Sequence, residues 1–298
     1  MTPLLRPVPF ARTSRILQAE PDFELAAGEG WPARIMAEEI RDRYHAKQGR
    51  SIARWTLAGP DGSTLAVYLK RHYELPQLAG WLAMLFPRKA WSPGLQEWQH
   101  LAWARSVGLP VPRPVAAGEF RGPGGKLQSF LAVEELANML PLNEAIPLAA
   151  ATLAPMAFAL WKRRLVADVA RLARELHRRR AYHKDLYLCH FYLAQTDCAE
   201  VPDSFRGRLF VIDFHRLGRH RFLGEYFRTK DLAQLLFSSD DLETLTARDR
   251  LRFWHHYRRG DWGPAAGPPN FLRRAILWKW KQYRRHNLRR KARNGGGH

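Results

Sequence analysis

Two short apolar segments, each with one aspartate at its edge, constrain the fold of this chain more than any other feature. The first is HKDLYLCHFYL, from His183 to Leu193, and the second is RLFVIDFHRL, from Arg208 to Leu217. A polar excursion, AQTDCAEVPDSFRG, separates them. Short apolar runs bounded by turn-forming residues read as strands. An aspartate at the end of such a run is either a turn-former or a working carboxylate. The residues at fixed distances on both sides decide which.

Upstream, SIARWTL (Ser51 to Leu57) and STLAVYLKRH (Ser63 to His72) are rich in β-branched and aromatic residues and flank AGPDG, which predicts a hairpin. From Gly94, GLQEWQHLAWARSVG sets Leu95, Trp98, Leu101 and Ala102 at helical spacing and stops at Gly108. LPVPRPVAAGE then extends the chain through three prolines, and LQSFLAVEEL (Leu127 to Leu136) reads as another strand. Further on, LVADVARLARELHRRR carries one apolar stripe, with four basic residues, His177 to Arg180, at its C-terminal end, where the helix dipole favours positive charge. The expected class is α+β and two-lobed. Residues 1–40 are read as an N-terminal extension, 41–136 as a small β-rich nucleotide-binding lobe with one helix, and 137–298 as a larger, mostly helical lobe.

With 48 basic against 28 acidic residues, a net charge of +20, the chain should seek polyanions. Only Cys189 and Cys198 are present, which suits a reducing compartment. The most apolar run, IPLAAATLAPMAFALW, has two prolines and 16 residues, short of the roughly 20 that a spanning helix needs. The N-terminal residues contain no apolar core of secretory length. The expectation is a protein that is soluble or bound to a membrane surface from the cytoplasm.

Phosphoryl transfer from ATP needs a lysine on the phosphates, a carboxylate holding that lysine, carboxylates for Mg²⁺ and a base near the acceptor hydroxyl. The parts occur in that order. Lys70 ends the strand VYLK, Glu97 lies in the following helix, and FLAVEEL leads to a hinge at Glu134, Glu135 and Leu136 whose backbone would meet adenine. Asp185 is third in H-x-D, and Asp213 ends a strand as VIDFH, the place of D-F-G. In place of a glycine-rich loop there is only KQGRS, where Lys47, Gly49 and Arg50 are candidates for phosphate contact. His190 stands five residues after Asp185, where protein kinases place a metal-ligating asparagine. Imidazole suits Mg²⁺ poorly, so His190 is assigned to the loop, to a phosphate, or to a softer ion such as Mn²⁺.

HKDLYLCHFYL, VIDFHRL, RTKDLAQLLFSS (Arg228 to Ser239) and SFLAVEEL resemble the lipopolysaccharide core kinases, the heptose and Kdo kinases of outer-membrane biosynthesis, which are relatives of the protein-kinase fold. The likeness runs roughly from Ser63 to Ser239. It implies Asp185 as general base on a sugar hydroxyl, Asp213 holding Mg²⁺ against the β- and γ-phosphates, Lys70 on those phosphates and Glu97 positioning it. It also implies that Asp231 accepts hydrogen bonds from the catalytic loop. The acceptor would be a lipid-linked lipopolysaccharide core sugar. Only 17 residues separate Asp213 from Asp231, with no A-P-E motif, which argues against a peptide acceptor. Protein or small-metabolite kinases of the same fold, and a non-catalytic nucleic-acid-binding pseudokinase, are the alternatives; nucleic acid is not expected as a partner.

Two segments bear on an anionic membrane surface. LPQLAGWLAMLFPRKAW (Leu75 to Trp91) is apolar around Trp81, Leu85 and Phe86 and ends in Arg88 and Lys89. FLRRAILWKWKQYRRHNLRRKAR (Phe271 to Arg293) carries ten Lys or Arg and no acid, and a helical projection gathers Phe271, Leu272, Ala275, Ile276, Trp278 and Tyr283 on one face, which predicts an interfacial helix.

Overall fold

The computed structural model describes residues 15–38, 44–45, 49–59, 62–86, 89–121, 126–259 and 270–295. The chain divides into two compact units, Met1–Ala137 and Asn138–His298.

The first unit contains β1 (Arg15–Ala19), α1 (Pro21–Ala27), α2 (Trp31–Arg34), β2 (Tyr44–His45), β3 (Arg50–Ala58), β4 (Thr64–His72), α3 (Gln77–Leu85), α4 (Pro93–Ser106), β5 (Pro114–Arg121) and β6 (Leu127–Glu134). Its sheet has the order β1-β5-β6-β4-β3-β2 with every pair antiparallel. The expected hairpin forms, with Arg50 opposite His72 and Ala58 opposite Thr64; Pro60 and Asp61 of its turn lie outside the described residues. Part of the stretch read as an extension belongs to this lobe. β1 pairs with β5, and α1 and α2 bring Phe23 and Trp31 into the core with Val67, Leu69 and Phe130. Trp31 meets the Phe130 ring edge-on at 5.8 Å. The proline-rich segment ends in β5, buried along its whole length, with Pro114 at its first position, where a missing N–H costs least.

Glu119 on β5 connects the sheet to the helix that follows α3. Fully buried, it accepts from the backbone N–H of Trp91 and Ser92 at 3.2 and 2.9 Å. Ser92 in turn caps α4 by accepting from Leu95 N at 3.4 Å, and Pro93 occupies the first helical turn. A Cβ at Gly94 would stand 2.5 Å from the Phe130 carbonyl oxygen, so only glycine lets α4 lie this close to β6. The helix axis, and with it Glu97, is fixed from the sheet.

The second unit contains β7 (Met139–Pro141), α5 (Leu142–Thr152), α6 (Pro155–Arg178), β8 (Ala181–Tyr182), β9 (Phe191–Ala194), β10 (Phe210–Val211), β11 (Gly218–Arg219), α7 (Gly224–Ser238), α8 (Ala247–Arg258) and α9 (Asn270–Gly295). The two apolar segments that open the sequence reading supply β9 and β10, paired antiparallel with Val211 opposite Phe191. The long apolar run is divided between α5 and α6, and Pro155 opens α6. Leu165, Val169, Leu172 and Leu176 of α6 are buried, as the stripe predicts. His177 differs from the other basic residues at this helix end: it is 1% exposed and hydrogen-bonds Tyr257 of α8 at 2.7 Å. The basic tail is helical, but its apolar residues divide. Leu272 and Ile276 are buried, Trp280 Nε1 donates to Asp240 at 2.7 Å, and Tyr283 packs on Phe237 of α7, while Phe271 and Trp278 face outward. No helix among the described residues is long and apolar enough to cross a membrane.

Candidate active site

In the first unit the predicted ion pair is formed: Lys70 Nζ lies 2.7 Å from Glu97 Oε1. Lys70 stands opposite Leu131 of β6 and Ile52 of β3, in the middle of the sheet rather than at its edge. Glu97 is 3% exposed, so its carboxylate needs the ammonium as much as it positions it. At the hinge, both glutamate side chains are engaged. Arg113 donates to Glu134 at 2.7 Å, and Arg54 holds Glu135 through two bonds of 2.8 Å. That hydrogen-bonded guanidinium holds the Glu135 carboxyl below the usual carboxylate range. The N–H groups of Glu134 and Glu135 donate to Arg113 O and Ala66 O. Gly49 takes φ = +55° and its carbonyl accepts from Tyr73 N at 2.8 Å, and Arg50 begins β3; Lys47 lies outside the described residues.

In the second unit the H-x-D loop hangs from one stripe of α7. Asp231, fully buried, accepts from the backbone N–H of His183 and Lys184 at 2.9 and 2.7 Å, with His177 Nε2 at 3.3 Å. Three residues on, Gln234 accepts from Leu186 N at 3.1 Å and donates to Lys184 O and to Asp185 Oδ1 at 3.2 and 3.3 Å. Ser238 accepts from Leu188 N at 3.0 Å. Spacings of three and four residues put these side chains on one helix face. They hold a loop in which Lys184 adopts φ = +68°, a left-handed conformation costing about 1–2 kcal/mol. Asp213 is also left-handed, at φ = +66°.

Asp185 receives Arg216 Nη1 on Oδ2 at 2.9 Å, with Lys230 Nζ 4.0 Å from Oδ1. His190 Nδ1 donates to the Asp185 carbonyl at 2.6 Å, which leaves Nε2 as the acceptor, 3.8 Å from Asp213 Oδ2. Burial disfavours charge on His190, yet the Cys189 sulfur, the Asp185 carbonyl and Asp213 together lift its pKa above the ordinary imidazole value. The other Asp213 oxygen accepts from His215 Nδ1 at 2.6 Å. His183 is a structural member: fully buried, it donates from Nε2 to Ile212 O at 2.9 Å, and burial pushes its pKa down, so the ring is neutral.

No cluster of three or more His, Cys, Asp or Glu side chains that could hold a metal occurs among the described residues. The donors present still fit Mg²⁺, which commonly takes one or two protein carboxylates and completes its shell with phosphate oxygens and water. Asp213 would be that carboxylate, with the His190 imidazole 3.8 Å from its Oδ2. Sequence reasoning passed over Gln234, Arg216, Lys230, His177 and Tyr257. The only advance signal was the D-x-x-Q spacing in TKDLAQLL, which places Gln234 beside Asp231.

A sheet-borne lysine paired to a helix glutamate, an H-x-D loop and a strand-end aspartate are the marks of a protein-kinase-like fold. The chain belongs to the lipopolysaccharide kinase (Kdo/WaaP) family, whose family model matches residues 85–257. It is 38% identical over 164 residues to lipopolysaccharide core heptose(I) kinase WaaP of Pseudomonas aeruginosa, and 30% identical over 162 residues to the WaaP of Escherichia coli. These matches cover 55% and 54% of this chain, and 59% and 58% of the lengths of those relatives. A solved structure of WaaP in complex with acyl carrier protein covers 90% of this chain and 99% of its own, with a TM-score of 0.60 and 30% identity.

Proposed function

We propose that this protein transfers the γ-phosphoryl group of ATP to a hydroxyl of a heptose or Kdo sugar in the lipopolysaccharide core. The observation that carries the reading is the Asp185 carboxylate, held by Gln234 and Arg216 at the end of a loop locked by Asp231. Family membership supports the substrate class, and the shortness of the 17-residue segment between Asp213 and Asp231 argues against a peptide acceptor.

In this mechanism Lys70, held by Glu97, binds the nucleotide phosphates, and the hinge offers the backbone at Leu136 to the base, since the N–H groups of Glu134 and Glu135 are already used. Asp213, with His190, would hold Mg²⁺ or Mn²⁺, which supplies charge neutralisation at the phosphates. Asp185 accepts the proton of the sugar hydroxyl as its oxygen bonds to the γ-phosphorus. The bond from phosphorus to the β,γ-bridging oxygen breaks, and ADP leaves. Arg216 and Gln234 keep the carboxylate aimed throughout. Gain of one phosphate by unphosphorylated core saccharide with ATP and Mg²⁺, measured by mass spectrometry, tests this; no gain with either metal would sink it.

The same reading puts the protein at an anionic membrane face, through α3. Leu78, Trp81, Leu85 and Phe86 are each more than half exposed there, and Lys89 lies over the Trp91 ring at 4.4 Å. The relative solved with acyl carrier protein suggests a second partner. An apolar cavity of about 410 Å³, lined by Leu165, Val169, Leu232, Leu236, Phe253 and Trp254, would take an acyl chain.

A further inference from the structure

Positive charge around Asp185 exceeds what the neighbouring carboxylates neutralise. Arg216 and Lys230 share that one carboxylate. Lys184 lays its ammonium over the Phe227 ring at 4.7 Å, in space that a side chain at Gly218 would fill. Lys279 reaches in from α9, over the Tyr283 ring at 5.6 Å and close enough to Lys230 to repel it. The other carboxylate acting on this group, Asp231, is committed to two backbone N–H groups and His177. Burial, then mutual repulsion with Arg216, pushes the pKa of Lys230 down; burial, then Lys230 and Arg216, does the same to Lys184. Partly desolvated ammonium groups held against one another are costly, and an anion arriving among them removes that cost.

Arg216 Nη1 and Lys230 Nζ stand 2.9 and 4.0 Å from the two oxygens of Asp185, which places the cluster with the carboxylate that meets the acceptor hydroxyl. Tyrosines line the same wall. Tyr187 bonds Gln234 at 3.1 Å, and Tyr283 feels Tyr187, Tyr226 and Asp185. Aromatic faces with cations between them suit a charged saccharide.

Resting on the phosphotransfer reading above, we propose that Arg216, Lys230, Lys279 and Lys184 bind an anionic substituent, carboxylate or phosphate, carried by the acceptor saccharide beside the hydroxyl presented to Asp185. The C-terminal helix is then part of the acceptor site, through Lys279.

Steady-state kinetics on the full chain test this with matched core saccharides: native, carboxyl-reduced, and dephosphorylated. Lys230→Gln should raise the acceptor KM by about tenfold or more at unchanged ATP KM, with Lys279→Gln acting in the same direction. The penalty should vanish on whichever matched acceptor lacks the recognised group, which tells carboxylate from phosphate. A rise in ATP KM alone, or an equal penalty on all three acceptors, overturns the proposal. Calorimetric titration of the native saccharide without ATP reads the site apart from turnover. Binding by wild type that Lys279→Gln weakens about tenfold supports the anion site even if no phosphoryl is transferred. Equal binding, or none by wild type, overturns it.

Discussion

At the scale of single residues, the structure separates carboxylates by what surrounds them. Asp185 lies on the loop and Asp231 on the helix that anchors it, yet Asp231 is sealed and saturated while Asp185 keeps an exposed edge. Asp185→Ala should therefore lower turnover by about 10²- to 10⁴-fold while nucleotide affinity, read by fluorescent ATP-analogue titration, stays near wild type. Asp213→Asn should weaken that affinity in the presence of Mg²⁺. His183 makes a pH prediction. Its folded pKa is depressed by burial, so below the unfolded value of about 6.5 the unfolded chain takes up a proton that the native ring refuses. Stability is lost as pH falls through that range. His190, whose pKa is raised, has the opposite sign, but it is common to wild type and a His183→Gln variant. Comparing their urea midpoints from pH 7 to pH 5 isolates the His183 effect, and the wild type should fall more steeply.

At the scale of elements, α7 organises the H-x-D loop and β5 organises α4. Asp231→Ala should destabilise the protein by on the order of 3 kcal/mol in chemical denaturation, because two backbone donors and the Nε2 of His177 lose their partner in the interior. The sequence made some of this visible. Strand-forming residues around a turn marked β3 and β4, helical spacing marked α4 and α6, and the positions of Lys70, Glu97, Asp185 and Asp213 followed from motif order. What stayed hidden depended on distant pairing. Nothing local in Pro21–Arg34 shows that Phe23 and Trp31 will close the core behind β4 and β6, because the partner rings lie far along the chain. The basic character of HRRR likewise concealed His177, whose burial is decided by Tyr257 and Asp231.

At the scale of the whole molecule, the basic tail is not the free interfacial helix that the sequence pattern alone suggests. The helical projection of the tail put its apolar residues on one free face, whereas α9 spends Leu272 and Ile276 on packing against its own unit. Removing residues 270–298 should cost roughly 3–6 kcal/mol of stability through those two side chains, visible as a lowered Tm. Trp81→Asp with Leu85→Asp in α3 should instead leave Tm nearly unchanged and release the protein from anionic vesicles in a flotation assay. The central claim is tested most directly by transfer of label from γ-labelled ATP to unphosphorylated lipopolysaccharide core and, in parallel, to a generic protein substrate, each with an Asp213→Asn control. Label in the core alone, abolished by Asp213→Asn, is the predicted result. Label in the protein substrate, or label in the core that survives Asp213→Asn, would contradict it.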